Sequence, residues 1–177
     1  MSIKQLARVL DAEDGPYQEL KKVVIGIRNN RAINLDRVSM EAATLHSERK
    51  SPELYKIAMQ PTPIYQAVTE DLKARARLTA ILAPLQAKRG ILDKLVKKMR
   101  KRILSEYADE LSDYSNAPAR AAAVDAVLAP AIDLLEDLES TILMLETYIK
   151  DIDQAGYHLT NVTGLMKILL ERPNQIV

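Results

Sequence analysis

The sequence predicts an all-α protein built on a long antiparallel, coiled-coil-like helical hairpin with short flanking helices. Three observations predict it. Gly (5) and Pro (8) are sparse among 177 residues, while Ala, Leu, Glu and Lys are common, which is the composition of helices. Two long stretches repeat apolar residues every three or four positions, as one helix face requires. Between them lies a turn signal, "DYSNAPA" at 113–119.

The elements follow in order. A short helix is expected over Ile3–Leu10, broken by "EDGP" at 13–16, and a second over Tyr17–Arg28, ended by "NN" at 29–30. Asn34 is an N-cap for a helix to about Arg49. In "KSPEL", Ser51 caps, Pro52 takes the first helical position and Glu53 meets the positive helix start, giving a short helix to about Met59. "QPTP" at 60–63 breaks the chain.

The first long arm is expected from Pro63 to Ser112, with Leu78, Leu82, Leu85, Leu92, Val96, Met99 and Ile103 on its buried face. Such a helix spans about 75 Å. Pro84 is expected to kink it and Gly90 to weaken it. The second arm runs from Ala117 to Gln154, with Pro118 in its first turn and Ser115 or Asn116 as cap. Its apolar series is Ile132, Leu135, Leu138, Ile142, Leu145, Ile149 and Ile152, close to the 3.5-residue repeat of a coiled coil. Pro130 is expected to kink this arm and Gly156 to end or bend it before a last helix, Tyr157–Glu171. The short helices of residues 1–60 and the hairpin of 61–177 together read as one domain. An arm this long needs cover beyond its partner arm. That implies a homo-oligomer assembled through Leu138, Ile142, Leu145, Ile149 and Ile152.

Charge is segregated along the chain. The formal net charge is +1, yet 71–102 holds eleven basic and two acidic residues, and 103–153 holds twelve acidic and two basic. The densest part is "KRGILDKLVKKMRKRI" at 88–103. On a helical wheel centred on Val96, Lys94, Lys97, Lys98, Lys101 and Arg102 fall opposite the core. Arg89 and Arg100 fall at its edge, where a guanidinium needs a partner. Two readings stay open. The cations form a stripe that tracks a phosphate backbone. Alternatively they pair with Asp133, Glu136, Asp137 and Glu139 of the other arm, with Lys94 opposite about Asp137 and Arg102 opposite about Ala129. A lipid surface fits less well, because Trp and Phe are absent.

Catalysis and metals find little footing. Without Cys there is no disulfide, thiol chemistry or Cys-based zinc site. His46 and His158 are far apart, no GxxxxGK[ST] occurs, and Ser47, Ser51 and Ser105 lack a base at motif spacing. Asp133, Glu136 and Asp137 share a helix face, but a solvated acidic face is the commoner outcome. A non-enzyme without cofactor or metal is expected. The N-terminus lacks the pattern of a signal peptide, and no apolar run is long enough for a membrane span, so the expected setting is cytoplasmic. Any nucleic-acid binding is expected to be dominated by backbone contacts, with Tyr107 and Tyr114 as the nearest stacking residues. Residues 17–49 also permit a helix-turn-helix.

Several segments resemble the recombination mediators of T4-like phages (UvsY-like proteins), in the same order. "INLDRVSMEAATLHSERK" at 33–50 is similar to that family's early helix. "DLKARARL" at 71–78 contains Leu72-Lys73-Ala74-Arg75, similar to its LKAR segment. The stretch 124–162, ending in "IKDIDQAGYHLTNV", resembles its C-terminal half. In the family, paired Tyr, Ser and Gly follow LKAR; here "ARLTAILAPLQ" follows. The DNA-contacting cations of the family therefore correspond either to Lys73 and Arg75 or to Lys97, Lys98, Arg100, Lys101 and Arg102. The resemblance implies a ring-forming, non-ATPase protein of the host cytoplasm. It binds single-stranded DNA, helps displace the single-strand-binding protein and loads a RecA-like recombinase. The rival reading is a phage-type structural or assembly protein whose charged helices pair with each other.

Overall fold

The computed structural model describes residues 2–30, 33–49 and 61–171. Among these residues all regular secondary structure is helical and no strand occurs. The helices are α1 (Ile3–Glu13), α2 (Gly15–Arg28), α3 (Leu35–Ser47), α4 (Pro61–Glu106) and α5 (Ala117–Glu171). The chain forms two compact units, Met1–Asp36 with Ala83–Ile142, and Arg37–Leu82 with Leu143–Val177. The division therefore runs through both long helices. The helix expected over Ser51–Met59 lies outside the described residues.

Local signals explain the helix ends. Ser2 and Gln5 form a reciprocal capping box at the start of α1. The expected break at 13–16 narrows to one residue. Asp14 ends α1, and its carboxylate accepts the Tyr17 N–H at 2.9 Å to cap α2, with Pro16 in the first turn. Asn29 terminates α2, and α3 begins directly after Asn34. Helix α4 stops at Glu106, short of Ser112, because turns take over at Tyr107 and carry Leu111 into the core. Asn116 caps α5 by accepting the Ala119 N–H at 2.8 Å.

Pro84 and Pro130 both sit inside uninterrupted helix. Gly156 does not end α5 either, so the separate helix expected over Tyr157–Glu171 is the last part of α5. An interior glycine costs a helix only about 1 kcal/mol, which a long, packed helix absorbs.

In the first unit, α4 and α5 run antiparallel. Rising positions on α4 meet falling positions on α5, as Arg89 with Glu139 and Arg100 with Asp125 show. Leu85, Leu92, Val96, Met99 and Ile103 of α4 are buried with Val124, Val127, Leu128, Leu134 and Leu138 of α5. Leu6, Leu10, Leu20, Val24 and Ile27 complete this core from α1 and α2. Each fully buried Leu contributes about 1.5–3 kcal/mol of apolar transfer. Polar ties fix α2 on α5: the Tyr17 hydroxyl donates to the Val127 carbonyl, and Arg28 donates to the Pro130 carbonyl, each at 3.3 Å.

In the second unit, Val38 and Ala42 of α3, Ala67, Ala74 and Leu78 of α4, and Leu145, Ile152 and Leu159 of α5 form the core. Arg77 meets Glu41 at 2.7 Å. His46 stacks on Tyr148, with ring centroids 4.3 Å apart, and reaches Asp151 at 3.3 Å. Arg49 and Asp71 form a two-bond ion pair at 2.8 and 3.0 Å, with side chains only 6% and 7% exposed.

The buried seam of α5 differs from the expected apolar series. It runs through Ala131, Leu134, Leu138, Thr141, Leu145, Ile152 and Leu159, while Ile132, Leu135, Ile142 and Ile149 are half-buried beside it. Leu138, Leu145 and Ile152 are common to both, while Ile132, Leu135 and Ile142 give way to the positions just before them. Small Ala131 and Thr141 suit a tightly packed seam, and the Thr141 hydroxyl is satisfied by the Asp137 carbonyl at 3.0 Å. A reading that selects only large aliphatics misses both.

Candidate nucleic-acid interface

The structure sorts the cations by residue type. The arginines of the basic stretch are ion-paired within the chain, Arg89 and Arg100 with about half of their side chains still exposed. Arg89 donates to Glu139 at 2.6 and 3.0 Å, and Arg100 to Asp125. These are the core-edge positions where a guanidinium needs a partner, and its planar fork suits a carboxylate. The partners lie three to six residues from those of the expected register, closer to the start of α5. The hydrogen bond to Glu139 raises the Arg89 pKa above its ordinary value.

Arg102 departs furthest from the solvent-facing position expected of it. It is half-buried and donates to Asp14 at 2.9 Å, while also reaching Glu106 at 2.7 Å. Tyr107 donates its hydroxyl to the same Asp14 oxygen at 3.0 Å. Burial acts to raise the Asp14 pKa. The Tyr17 amide, Arg102 and the Tyr107 hydroxyl together outweigh it and hold that carboxyl below its usual range. Burial, then the bond to Asp14, raises the Tyr107 pKa. Arg102 thus serves as a structural clamp between α4 and the α1–α2 junction. Tyr107 is committed to the same cluster, and Tyr114 is half-buried. Neither presents the open ring expected of a stacking residue.

The lysines behave differently. Lys94, Lys98 and Lys101 are exposed on the face of α4 opposite Leu92, Val96, Met99 and Ile103. Among the described residues they form no ion pair. Lys97 stands at their edge, its side chain 75% exposed, with only an i,i+4 bond to Asp93 at 2.9 Å. An exposed pair of that kind is worth about 0.3–0.5 kcal/mol, too little to withhold the lysine from a phosphate. The expected pairing of Lys94 with Asp137 does not occur. Asp133, Glu136 and Asp137 are exposed on α5 and form no ion pair among the described residues. The first unit therefore carries a lysine ridge on one helix and an acidic ridge on the other.

The second unit holds the remaining candidate cations. Lys73 is exposed without an ion pair among the described residues. Arg75 donates to both oxygens of Asp153, at 2.7 and 3.3 Å, and this bonding raises its pKa. Of the residues expected to assemble an oligomer, Leu138, Leu145 and Ile152 are buried within the single chain, while Ile142 and Ile149 are half-buried. No helix among the described residues is long and apolar enough to cross a membrane, and none of their His, Asp or Glu side chains form a group of three placed to hold a metal ion.

Comparison with known protein families, curated proteins and solved structures finds no match to this chain.

Proposed function

We propose that this protein is a non-catalytic single-stranded-DNA-binding protein whose lysine ridge, Lys94, Lys98 and Lys101 with Lys97 beside it, holds phosphates. One observation carries the reading: the arginines around the ridge are ion-paired within the chain, whereas Lys94, Lys98 and Lys101 stand outward without an ion pair among the described residues and Lys97 has only an exposed i,i+4 bond to Asp93. Three lysines at i, i+4 and i+7 form a line along one helix face, suited to a flexible backbone and indifferent to base sequence. The resemblance to phage recombination mediators supports the finer role, loading a RecA-like recombinase in place of a single-strand-binding protein.

The test is fluorescence anisotropy of a labelled single-stranded oligonucleotide across a salt series, with duplex as competitor. The triple variant Lys94→Glu/Lys98→Glu/Lys101→Glu is expected to lose binding at moderate salt and keep its helicity. Removing three phosphate contacts should flatten the salt slope by about 2. Unchanged affinity in a folded triple variant would sink the assignment.

A second reading has its own observation. The acidic ridge of Asp133, Glu136 and Asp137 is also outward and unanswered among the described residues, and it complements the lysine ridge of another copy. In that case the protein is an assembly component that binds no DNA. Its self-association would weaken on reversing either ridge and recover on mixing the two variants.

A further inference from the structure

The second unit carries an open groove along one edge of the α4–α5 pair, and Tyr157 stands in it. Tyr157 is among the most exposed large residues of those described, at 74%, as is Tyr65. Tyr157 borders two hollows of about 370 and 510 Å³. Both volumes fall in the range of small-ligand sites, about 300–1,000 Å³. The first hollow pairs apolar Leu82 and Ile149 with Lys150, Glu146 and Gln154. The second pairs apolar Val68 and Leu159 with Arg75 and Thr160. Each hollow thus offers an apolar wall, one basic and one neutral polar side chain beside the shared ring, with carboxylate side chains in both. Asp153 lies on both, but its carboxylate is occupied by Arg75. Gly156 also lines the second hollow, and a methyl group built there would meet nothing within 4 Å.

We infer that Tyr157 is a stacking platform for unpaired nucleobases, with Lys150 placed to meet an adjoining phosphate. The inference rests on the single-strand-binding reading and supplies what the lysine ridge lacks. Lysines on a ridge attract single and double strands alike. A ring in an open groove is reached only by a base already free of its partner and neighbours. Base–aromatic stacking is indifferent to base identity, because every base has a π face. The ring thus explains a preference for single strands without sequence readout.

The experiment compares the full-length protein with Tyr157→Ala and Tyr157→Phe, by anisotropy, on a labelled oligothymidylate and on a matching abasic backbone. Loss of one stacking contact should weaken oligothymidylate binding by about tenfold. Tyr157→Phe should bind like the parent, since the face and not the hydroxyl is used. The salt slope should stay unchanged in both, because the ring bears no charge. On the abasic backbone all three proteins should bind equally. Equal binding of Tyr157→Ala and the parent to oligothymidylate would overturn the inference and leave the lysine ridge standing. An equal loss on the abasic backbone would also overturn it, by showing that the substitution acts through the fold. Failure of the parent to bind any single strand at low salt would overturn both assignments together.

Discussion

Removing the carboxylate of Asp71 should be the most damaging single polar change in the protein. Asp71 faces the core side of α4, and its side chain is 7% exposed. Arg49, two residues beyond the end of α3, meets it through Nε and a terminal nitrogen and is 6% exposed. Asp71→Leu takes a counter-charge away from a guanidinium held out of water. Breaking a buried pair from one side costs about 3–5 kcal/mol, a large part of a typical total stability of about 5–15 kcal/mol. With a urea m-value of about 2 kcal/mol/M, the midpoint should fall by about 2 M. The double variant Arg49→Met/Asp71→Leu replaces the pair by apolar groups. It should recover most of the loss, since such replacements are often neutral or stabilising. Urea unfolding of the parent, both single variants and the double variant, followed by far-UV circular dichroism, closes the cycle. A cost below about 1 kcal/mol for Asp71→Leu, or additive single losses in the double variant, would refute the claim that a desolvated pair anchors the end of α3 to α4.

Two further predictions concern the first unit. The folded-state pKa of Asp14 lies below its ordinary value of 3.8, so its ionised form adds stability above that pH, and the contribution is lost as pH falls below 3.8 through the lowered folded value. Asp14→Asn keeps the cap on α2 but removes the ionisation, so its stability should fall less over that range; a parallel decline of variant and parent, measured by denaturant titration at each pH, would contradict this. Gly90 sits inside α4, and a methyl group there meets nothing within 4 Å, so Gly90→Ala should add about 0.5–1 kcal/mol and raise the thermal midpoint by about 2–3 °C; a lowered midpoint would show that the position needs glycine.

How much was legible in the sequence depends on the range of the interaction concerned. Capping chemistry at Asn116 and the turn residues around it marked the start of α5, because an N-cap acts within three residues. The wheel position of Lys94, Lys98 and Lys101 was equally legible, since helix geometry alone sets which residues oppose Val96. It also placed Arg89 and Arg100 at the core edge. Their acceptors were not legible, because register between two arms depends on packing at many seam positions. Large aliphatics located Leu138, Leu145 and Ile152 of the α5 seam but missed Ala131 and Thr141, which are buried where Ile132 and Ile142 lie beside it.

By itself, then, the sequence determined the helical class, the two long arms, and a row of lysines turned away from the core, all consequences of local propensity and helical periodicity. Only the tertiary structure decided which charges were already answered. Arg102 meets Asp14 across 88 positions of chain, and Arg75 meets Asp153 across 78. It also decided which aromatic rings stay open, with Tyr107 taken by Asp14 and Tyr157 left in solvent. The physical reason is that neutralisation and burial depend on what the folded chain brings within a few ångströms, and no local rule of sequence spacing encodes that distance.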